Sequence, residues 1–141
     1  MIEVLKRLGY YPRFCVWELT LACNLRCLHC GSYAGERRKD ELSWEEAQDV
    51  ADQLAAMRCE KVTLGGGEPT LHPRWHEIGK RLTDQGVRVN IISNGWHWTE
   101  EHVRKSRNSR RLPRLRRLIV VMRLVGIPAS TETLIAEITR S

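Results

Sequence analysis

The chain has 141 residues, carries Lys+Arg 23 against Asp+Glu 17 for a net charge of +6, and is 42% hydrophobic. That is enough material for one domain with a small core, and no second domain is expected. No apolar run approaches the roughly 20 residues of a membrane helix, and Met1-Ile-Glu-Val-Leu-Lys-Arg7 lacks the charged-then-apolar order of a secretory signal. A cytoplasmic protein with no membrane partner is therefore expected.

Arg13-Phe-Cys-Val-Trp-Glu-Leu-Thr20 mixes β-favouring and apolar residues and predicts a first strand. It runs straight into Thr20-Leu-Ala-Cys-Asn-Leu-Arg-Cys-Leu-His-Cys-Gly-Ser32, where Cys23, Cys27 and Cys30 form a C-x3-C-x2-C clip with no fourth cysteine nearby. Five cysteines, three of them on one short loop, suit metal binding in a reducing compartment better than a disulfide framework. Cubane iron-sulfur clusters are normally held by four thiolates, so three would leave one iron open to another ligand. A Cys3His zinc site using His29 is the chemical alternative, although direct adjacency to Cys30 makes a shared tetrahedral site awkward. Cys15 and Cys59 stand apart and read as small buried groups.

A polar connection from Ser32 to Glu41 leads to Ser43-Trp-Glu-Glu46, a capping box that should open a helix. Ala47, Val50, Ala51 and Leu54 continue it with the i, i+3, i+4, i+7 spacing of an apolar stripe. Lys61-Val-Thr-Leu64 predicts a second strand ending in Gly65-Gly-Gly67. Pro73 to Gln85 predicts a second helix with Trp75, Ile78 and Leu82 on one face and Gly86 as its stop. Val87-Arg-Val-Asn-Ile-Ile-Ser93 alternates as a third strand before Asn94-Gly95. Alternating strands and helices give an α/β class with parallel pairing, right-handed crossovers and functional sites beyond the carboxyl ends of the strands. The cysteine loop, Gly65-Gly-Gly-Glu-Pro-Thr70 and Ser93-Asn-Gly95 all fall at that end.

The pattern then breaks. Thr99-Glu-Glu would cap a third helix, but the positions beside Val103 that should be apolar are Ser106, Arg107 and Arg110. Leu118-Ile-Val-Val-Met122 fits a fourth strand, and Ser130 to Ile138 a weak closing helix with Leu134, Ile135 and Ile138 inward. Residues 1–101 carry 13 Lys+Arg and 15 Asp+Glu, a balance of −2, whereas residues 102–141 carry 10 and 2, a balance of +8. The excess lies mainly in Arg104 to Arg117. That run could neutralise phosphates, so a nucleic-acid-binding module is an alternative, although no aromatic residues are interleaved there to stack on bases.

The cysteine spacing, followed by Gly66-Gly-Glu-Pro69 after a strand, resembles the radical S-adenosylmethionine (radical SAM) superfamily over roughly residues 14 to 100. The resemblance implies the first half of a partial (β/α)6, TIM-like barrel with three to four parallel strands. It implies that Cys23, Cys27 and Cys30 bind three irons of a [4Fe-4S] cluster whose fourth iron is chelated by the amino and carboxylate groups of SAM. Reductive cleavage of SAM would then give methionine and a 5′-deoxyadenosyl radical that abstracts hydrogen from an unactivated C–H bond. Gly66, Gly67, Glu68 and Pro69 look like the family segment that contacts the amino group of SAM. Glycines allow close backbone approach there, and Glu68 offers a carboxylate suited to an ammonium. His29 stands where the family commonly has an aromatic residue near the adenine. Ser93 and Asn94 are similar to the family's Thr/Ser-Asn-Gly segment and would offer a hydroxyl and an amide to SAM or substrate.

The Cys-Leu-His-Cys-Gly-Ser context looks like members that modify peptides or build cofactors, so a peptide or cofactor precursor is the expected substrate and a flavodoxin or ferredoxin the expected electron donor. Beyond about residue 101 the resemblance stops, because Val121-Met-Arg-Leu-Val-Gly126 has neither the Ser-x-Asp nor the Leu-Asp-Gly-like segment of the family's fourth strand. Residues 1–101 are thus expected to form the N-terminal half of a radical SAM core domain, and residues 102–141 a basic, atypical segment. The abrupt arginine enrichment suggests a truncated or frame-altered product of a longer gene. A zinc-stabilised structural domain is the remaining alternative.

Overall fold

The computed structural model describes residues 9–96 and 98–102, Val4, Arg7 and the backbone of Leu118–Val120. In chain order these give β1 (Phe14–Thr20), α1 (Trp44–Ala56), β2 (Lys61–Gly66), a 3-10 turn (Pro69–Leu71), α2 (Trp75–Asp84), β3 (Arg88–Ser93) and the three-residue β4 (Leu118–Val120). The strands form one parallel sheet in the order β1-β2-β3-β4.

Local chemistry sets the helix ends. At the start of α1 the Ser43 hydroxyl accepts the Glu46 N–H at 3.2 Å while the Glu46 carboxylate accepts the Ser43 N–H at 2.8 Å, satisfying two orphan donors reciprocally. Both helices close with paired backbone bonds, Cys59 N to Leu54 O with Arg58 N to Ala55 O, and Val87 N to Leu82 O with Gly86 N to Thr83 O. This closure puts one residue in the left-handed region. In α2 that residue is Gly86 (φ 86°), which adopts it without steric cost, but in α1 it is Arg58 (φ 60°). The second helix starts at Trp75 rather than Pro73, since Arg74 holds a non-helical φ of −117°.

Pairing register separates the two faces of the sheet. Cys15, Val62 and Val89 lie abreast, as do Trp17, Leu64 and Ile91, and these rows pack with Ala47, Ala51, Leu54, Ile78 and Leu82 of the helices. Each fully buried aliphatic side chain here contributes about 1.5–3 kcal/mol. Both helices share that face, because Arg81 of α2 grips Asp52 of α1 through two bonds of 2.8 and 2.7 Å, and Gln85 adds a third at 2.8 Å. The Arg81 and then the Gln85 bonds hold the Asp52 carboxyl below its ordinary range. On the opposite face, Phe14 and Val16 of β1 remain 59% and 70% exposed. β1 is also an edge strand of the described sheet. At the amino ends of the strands Glu60 ties Arg13 (2.8 Å) to Arg88 (3.4 Å), closing the bottom of the sheet.

The chain is helical at Glu100–His102, where the expected third helix begins and the described residues stop, and the Thr99 hydroxyl accepts the His102 N–H at 3.4 Å. The expected fourth strand pairs with β3 over Leu118–Val120. The arginine run from Arg104 to Arg117 and the closing helix from Ser130 to Ile138 lie outside the described residues. Among the described residues no helix is long and apolar enough to cross a membrane.

Candidate functional site

The carboxyl end of β1 is shaped by a register shift between Glu18 and Thr20 that redirects the chain into the cysteine loop. The loop is pinched at its neck. Cys23 N donates to Gly35 O at 3.0 Å and Gly35 N to Leu21 O at 2.8 Å, with Ala22 and Gly35 bridged in parallel. Glu41 fastens the neck from outside: one carboxylate oxygen accepts the Thr20 hydroxyl at 2.5 Å and the Leu21 N–H at 3.3 Å, while the other faces Arg37 at 3.5 Å. A residue that read only as the end of a polar connection thus anchors the loop carrying Cys23, Cys27 and Cys30.

The glycine segment is zipped to that neck. Gly67 N donates to Thr20 O and Glu68 N to Ala22 O, both at 2.8 Å. A Cβ on Gly66 would lie 2.2 Å from Thr20 O, and one on Gly67 would lie 2.3 Å from Ala22 O. These glycines are therefore demanded by backbone packing against the cysteine loop, and Gly66 also needs its φ of 120°.

Glu68 follows, and its side chain is 0% exposed. Its carboxylate accepts the Thr70 N–H (3.1 Å), the Thr70 hydroxyl (2.6 Å), the Ser93 hydroxyl (2.9 and 3.0 Å to the two oxygens) and the Asn94 N–H (2.8 Å). This buried carboxylate staples the exit of β2 to the exit of β3. Ser93 in turn accepts the Gly95 N–H at 3.0 Å and the indole N–H of buried Trp98 at 2.8 Å, so its single proton is left for Glu68.

Together these ties leave a cleft of about 250 Å³ at the carboxyl ends of the strands. The cysteine loop contributes Cys23, Cys27, His29 and Cys30 to it, and the ends of β2 and β3 contribute Gly66, Gly67, Ser93 and Asn94. Eight of the ten residues singled out from sequence therefore share one cavity. Glu68 and Pro69 do not line it; both are buried behind its wall, Glu68 because its carboxylate is turned toward Ser93, Thr70 and the Asn94 amide.

All five cysteines are free thiols. Backbone N–H groups already point at two of the three in the cleft, from Leu25 to Cys23 Sγ and from Ala34 to Cys30 Sγ, each at 3.4 Å. Donors of this kind stabilise thiolate ligands and cluster sulfurs. Among the described residues no group of three or more His, Cys, Asp or Glu side chains is arranged around a single metal ion. A cubane asks for something different, one thiolate per iron along a face, and three free sulfurs beside an open cleft and a side-chain-free glycine wall fit that demand.

Cys15 and Cys59 lie away from the cleft on the helix-covered side, where burial, and then the neighbouring Cys59, pushes the Cys15 thiol up from its ordinary value. His72, just beyond the 3-10 turn, accepts the Arg74 N–H at Nδ1 (3.3 Å), and burial followed by the Arg37 charge pulls its pKa down against the opposing effect of Glu41. Sequence reasoning missed Glu41, Trp98, Thr70 and Asn24 as parts of the site's frame. Glu41 and Asn24 meet partners 21 and 70 residues away, beyond any local signal, whereas Thr70 and Trp98 lie within two and five residues of theirs but carry no pattern that assigns them the role.

A family model of the Radical SAM superfamily matches residues 17–132 of the chain. The mycofactocin maturase MftC of Mycobacterium tuberculosis is 41% identical over 101 residues, covering 72% of this chain and 26% of that protein. The AdoMet-dependent heme synthase of Methanosarcina barkeri is 40% identical over 97 residues, 68% of this chain and 28% of that protein. The chain spans about a quarter of the length of these curated relatives. Among solved structures, Streptococcus suis SuiB bound to S-adenosylmethionine superposes with a TM-score of 0.61 at 18% identity over 73% of this chain and 24% of that one, a likeness of fold.

Proposed function

Because the chain belongs to the radical SAM superfamily, we propose that its cleft holds a [4Fe-4S] cluster on Cys23, Cys27 and Cys30 and takes up SAM beside it. The single observation that carries the proposal is the convergence of those three free thiols with Gly66, Gly67 and Asn94 on one cavity at the strand ends. When bound, the cluster supplies an electron that cleaves a carbon–sulfur bond of SAM to methionine and a 5′-deoxyadenosyl radical, which abstracts hydrogen from substrate. The chain's own residues supply placement. Gly66 and Gly67 present backbone without side chains to the sulfonium nucleotide, and Glu68 acts from behind, fixing that backbone against Ser93 and Asn94. His29, exposed on the cysteine loop and lining the cleft, would stand near the adenine.

The sheet is read as the first part of a partial (β/α) barrel, carried by residues 1–101. Its strands follow chain order without reversal and both described helices lie on one face, as in a singly wound barrel. Phe14 and Val16 on the other face would then look into the barrel. A peptide is the favoured substrate class, in keeping with the maturase relatives and with a solved SuiB complex bound to its precursor peptide SuiA. A flavodoxin- or ferredoxin-type donor in the cytoplasm would supply the electron.

Anaerobic reconstitution with iron and sulfide tests the proposal. The expected product is brown, binds about four irons, gives a reduced-cluster EPR signal that SAM perturbs, and forms 5′-deoxyadenosine on reduction. Cys27→Ala should lose the chromophore. A colourless protein, or an unchanged spectrum in that variant, contradicts the ligand assignment.

A further inference from the structure

Asn94 has no freedom left in its side-chain amide. Its Oδ1 accepts the Trp96 N–H at 2.9 Å, which fixes which end of the amide is oxygen, and its Nδ2 is thereby turned toward the cysteine loop. There Nδ2 donates to Asn24 Oδ1 at 2.8 Å and lies 3.9 Å from Cys23 Sγ, within reach of a long N–H···S bond. Its backbone N–H is committed as well, at 2.8 Å to the buried Glu68 carboxylate. The residue is thus held from three directions by β3, the glycine segment and the turn after β3, and its one outward-facing donor meets a thiol of the clip. Cys23 then has two N–H donors, Leu25 and Asn94, while Cys30 has one from Ala34.

We infer that Asn94 is a positioning residue that tunes the cluster: its amide donates to the Cys23 sulfur and raises the reduction potential of the cluster that the proposed function places there. The inference rests on that reading of the site and gives Asn94 a different task from contacting SAM or substrate, since both polar atoms of its side chain are engaged within the chain. The physics is that reduction adds negative charge to the cluster and its sulfurs, so a fixed N–H donor stabilises the reduced state more than the oxidised one. Asn24 shares the donor. Removing Asn24 leaves Nδ2 with only sulfur to serve.

The test is an EPR-monitored redox titration of the reconstituted chain and three variants. Asn94→Ala should lower the equilibrium constant for one-electron reduction by roughly three- to tenfold, a shift of about 30–60 mV to more negative potential at about 59 mV per tenfold. Asn94→Asp preserves the acceptor for the Trp96 N–H but turns an anionic oxygen toward Cys23, so it should shift the potential further in the same direction. Asn24→Ala should leave the potential in place or raise it. Equal potentials in the parent and both Asn94 variants overturn the inference while leaving the cluster assignment standing. An Asn24→Ala shift as large as that of Asn94→Ala overturns it too, by showing that the contact only tethers the loop. A parent chain that takes up no cluster overturns the proposed function and this inference with it.

Discussion

Glu68 is wholly buried, and its partners among the described residues are two backbone amides and two hydroxyls rather than a cation. Glu68→Gln keeps the volume and replaces one acceptor oxygen with an NH2 donor. The two backbone amides sit on different oxygens, Thr70 N on Oε1 and Asn94 N on Oε2, so a glutamine can serve one and must orphan the other. The Ser93 hydroxyl offers no escape, because its oxygen already accepts from Gly95 N and the Trp98 indole. Stranding a buried N–H costs about 1–3 kcal/mol, and loss of the charge-assisted strength of the surviving bonds adds to it. Relief of carboxylate desolvation trims the sum without reversing it, for a net loss of about 2–3 kcal/mol.

In a small domain whose whole stability is on the order of 5 kcal/mol, that is a large share. It corresponds to roughly 7–10 °C in Tm for a chain of this length. Denaturant unfolding followed by far-UV circular dichroism, under anaerobic reducing conditions, reads it directly. A glutamine variant within about 0.5 kcal/mol of the parent would refute the claim that this carboxylate is held by those donors and staples β2 to β3.

Gly67→Ala should destabilise by about 2–4 kcal/mol in the same unfolding assay, since its Cβ would lie 2.3 Å from Ala22 O, whereas Gly65→Ala, which meets nothing within 4 Å, should leave stability within about 0.5 kcal/mol; similar effects at the two positions would contradict the backbone-packing account. Arg58→Gly should raise stability by about 0.5–1 kcal/mol by relieving the left-handed conformation that ends α1 (φ 60°), and no gain would mean that Arg58 has a compensating contact. His72 titrates below its ordinary value in the folded chain, so the unfolded chain binds the extra proton first. Its contribution is complete above about pH 6.5 and is lost as pH falls through the folded pKa. Stability against pH should therefore slope downward on acidification from that point, and His72→Asn should lack this component; identical pH profiles would rule it out.

The elements were legible in sequence where their signals are local. The Ser43–Glu46 box, the α1 stripe and the Gly86 stop each depend on residues within about two turns of one another, and the structure holds all three. The three cysteines likewise stand out by local spacing, and the structure brings them to one cavity. What spacing could not carry was the use of side chains across strands. Glu68 looks like a ligand in a glycine-rich loop, yet its partners Ser93 and Asn94 stand 25 and 26 residues away, beyond the reach of any window. Glu41 ended a stretch read as mere connection, because its link to Thr20 spans 21 residues. The glycines were assigned to ligand approach, and the structure adds a second demand, the carbonyls of Thr20 and Ala22.

These long-range ties bear on how the site works. The cleft wall is built from backbone: the neck of the cysteine loop bonds to itself, the glycine segment bonds to the neck, and two carboxylates, Glu41 and Glu68, collect the amide donors left over. This frame holds the cysteine loop at its neck, so its three thiols line one cavity. Preorganisation of this kind reduces the ordering cost of assembly and keeps the N–H donors on Cys23 and Cys30 in place when charge arrives. It also makes the site sensitive to changes far from the cysteines, because loosening Glu68 frees both the glycine wall and Asn94, the two features that β2 and β3 bring to the cavity.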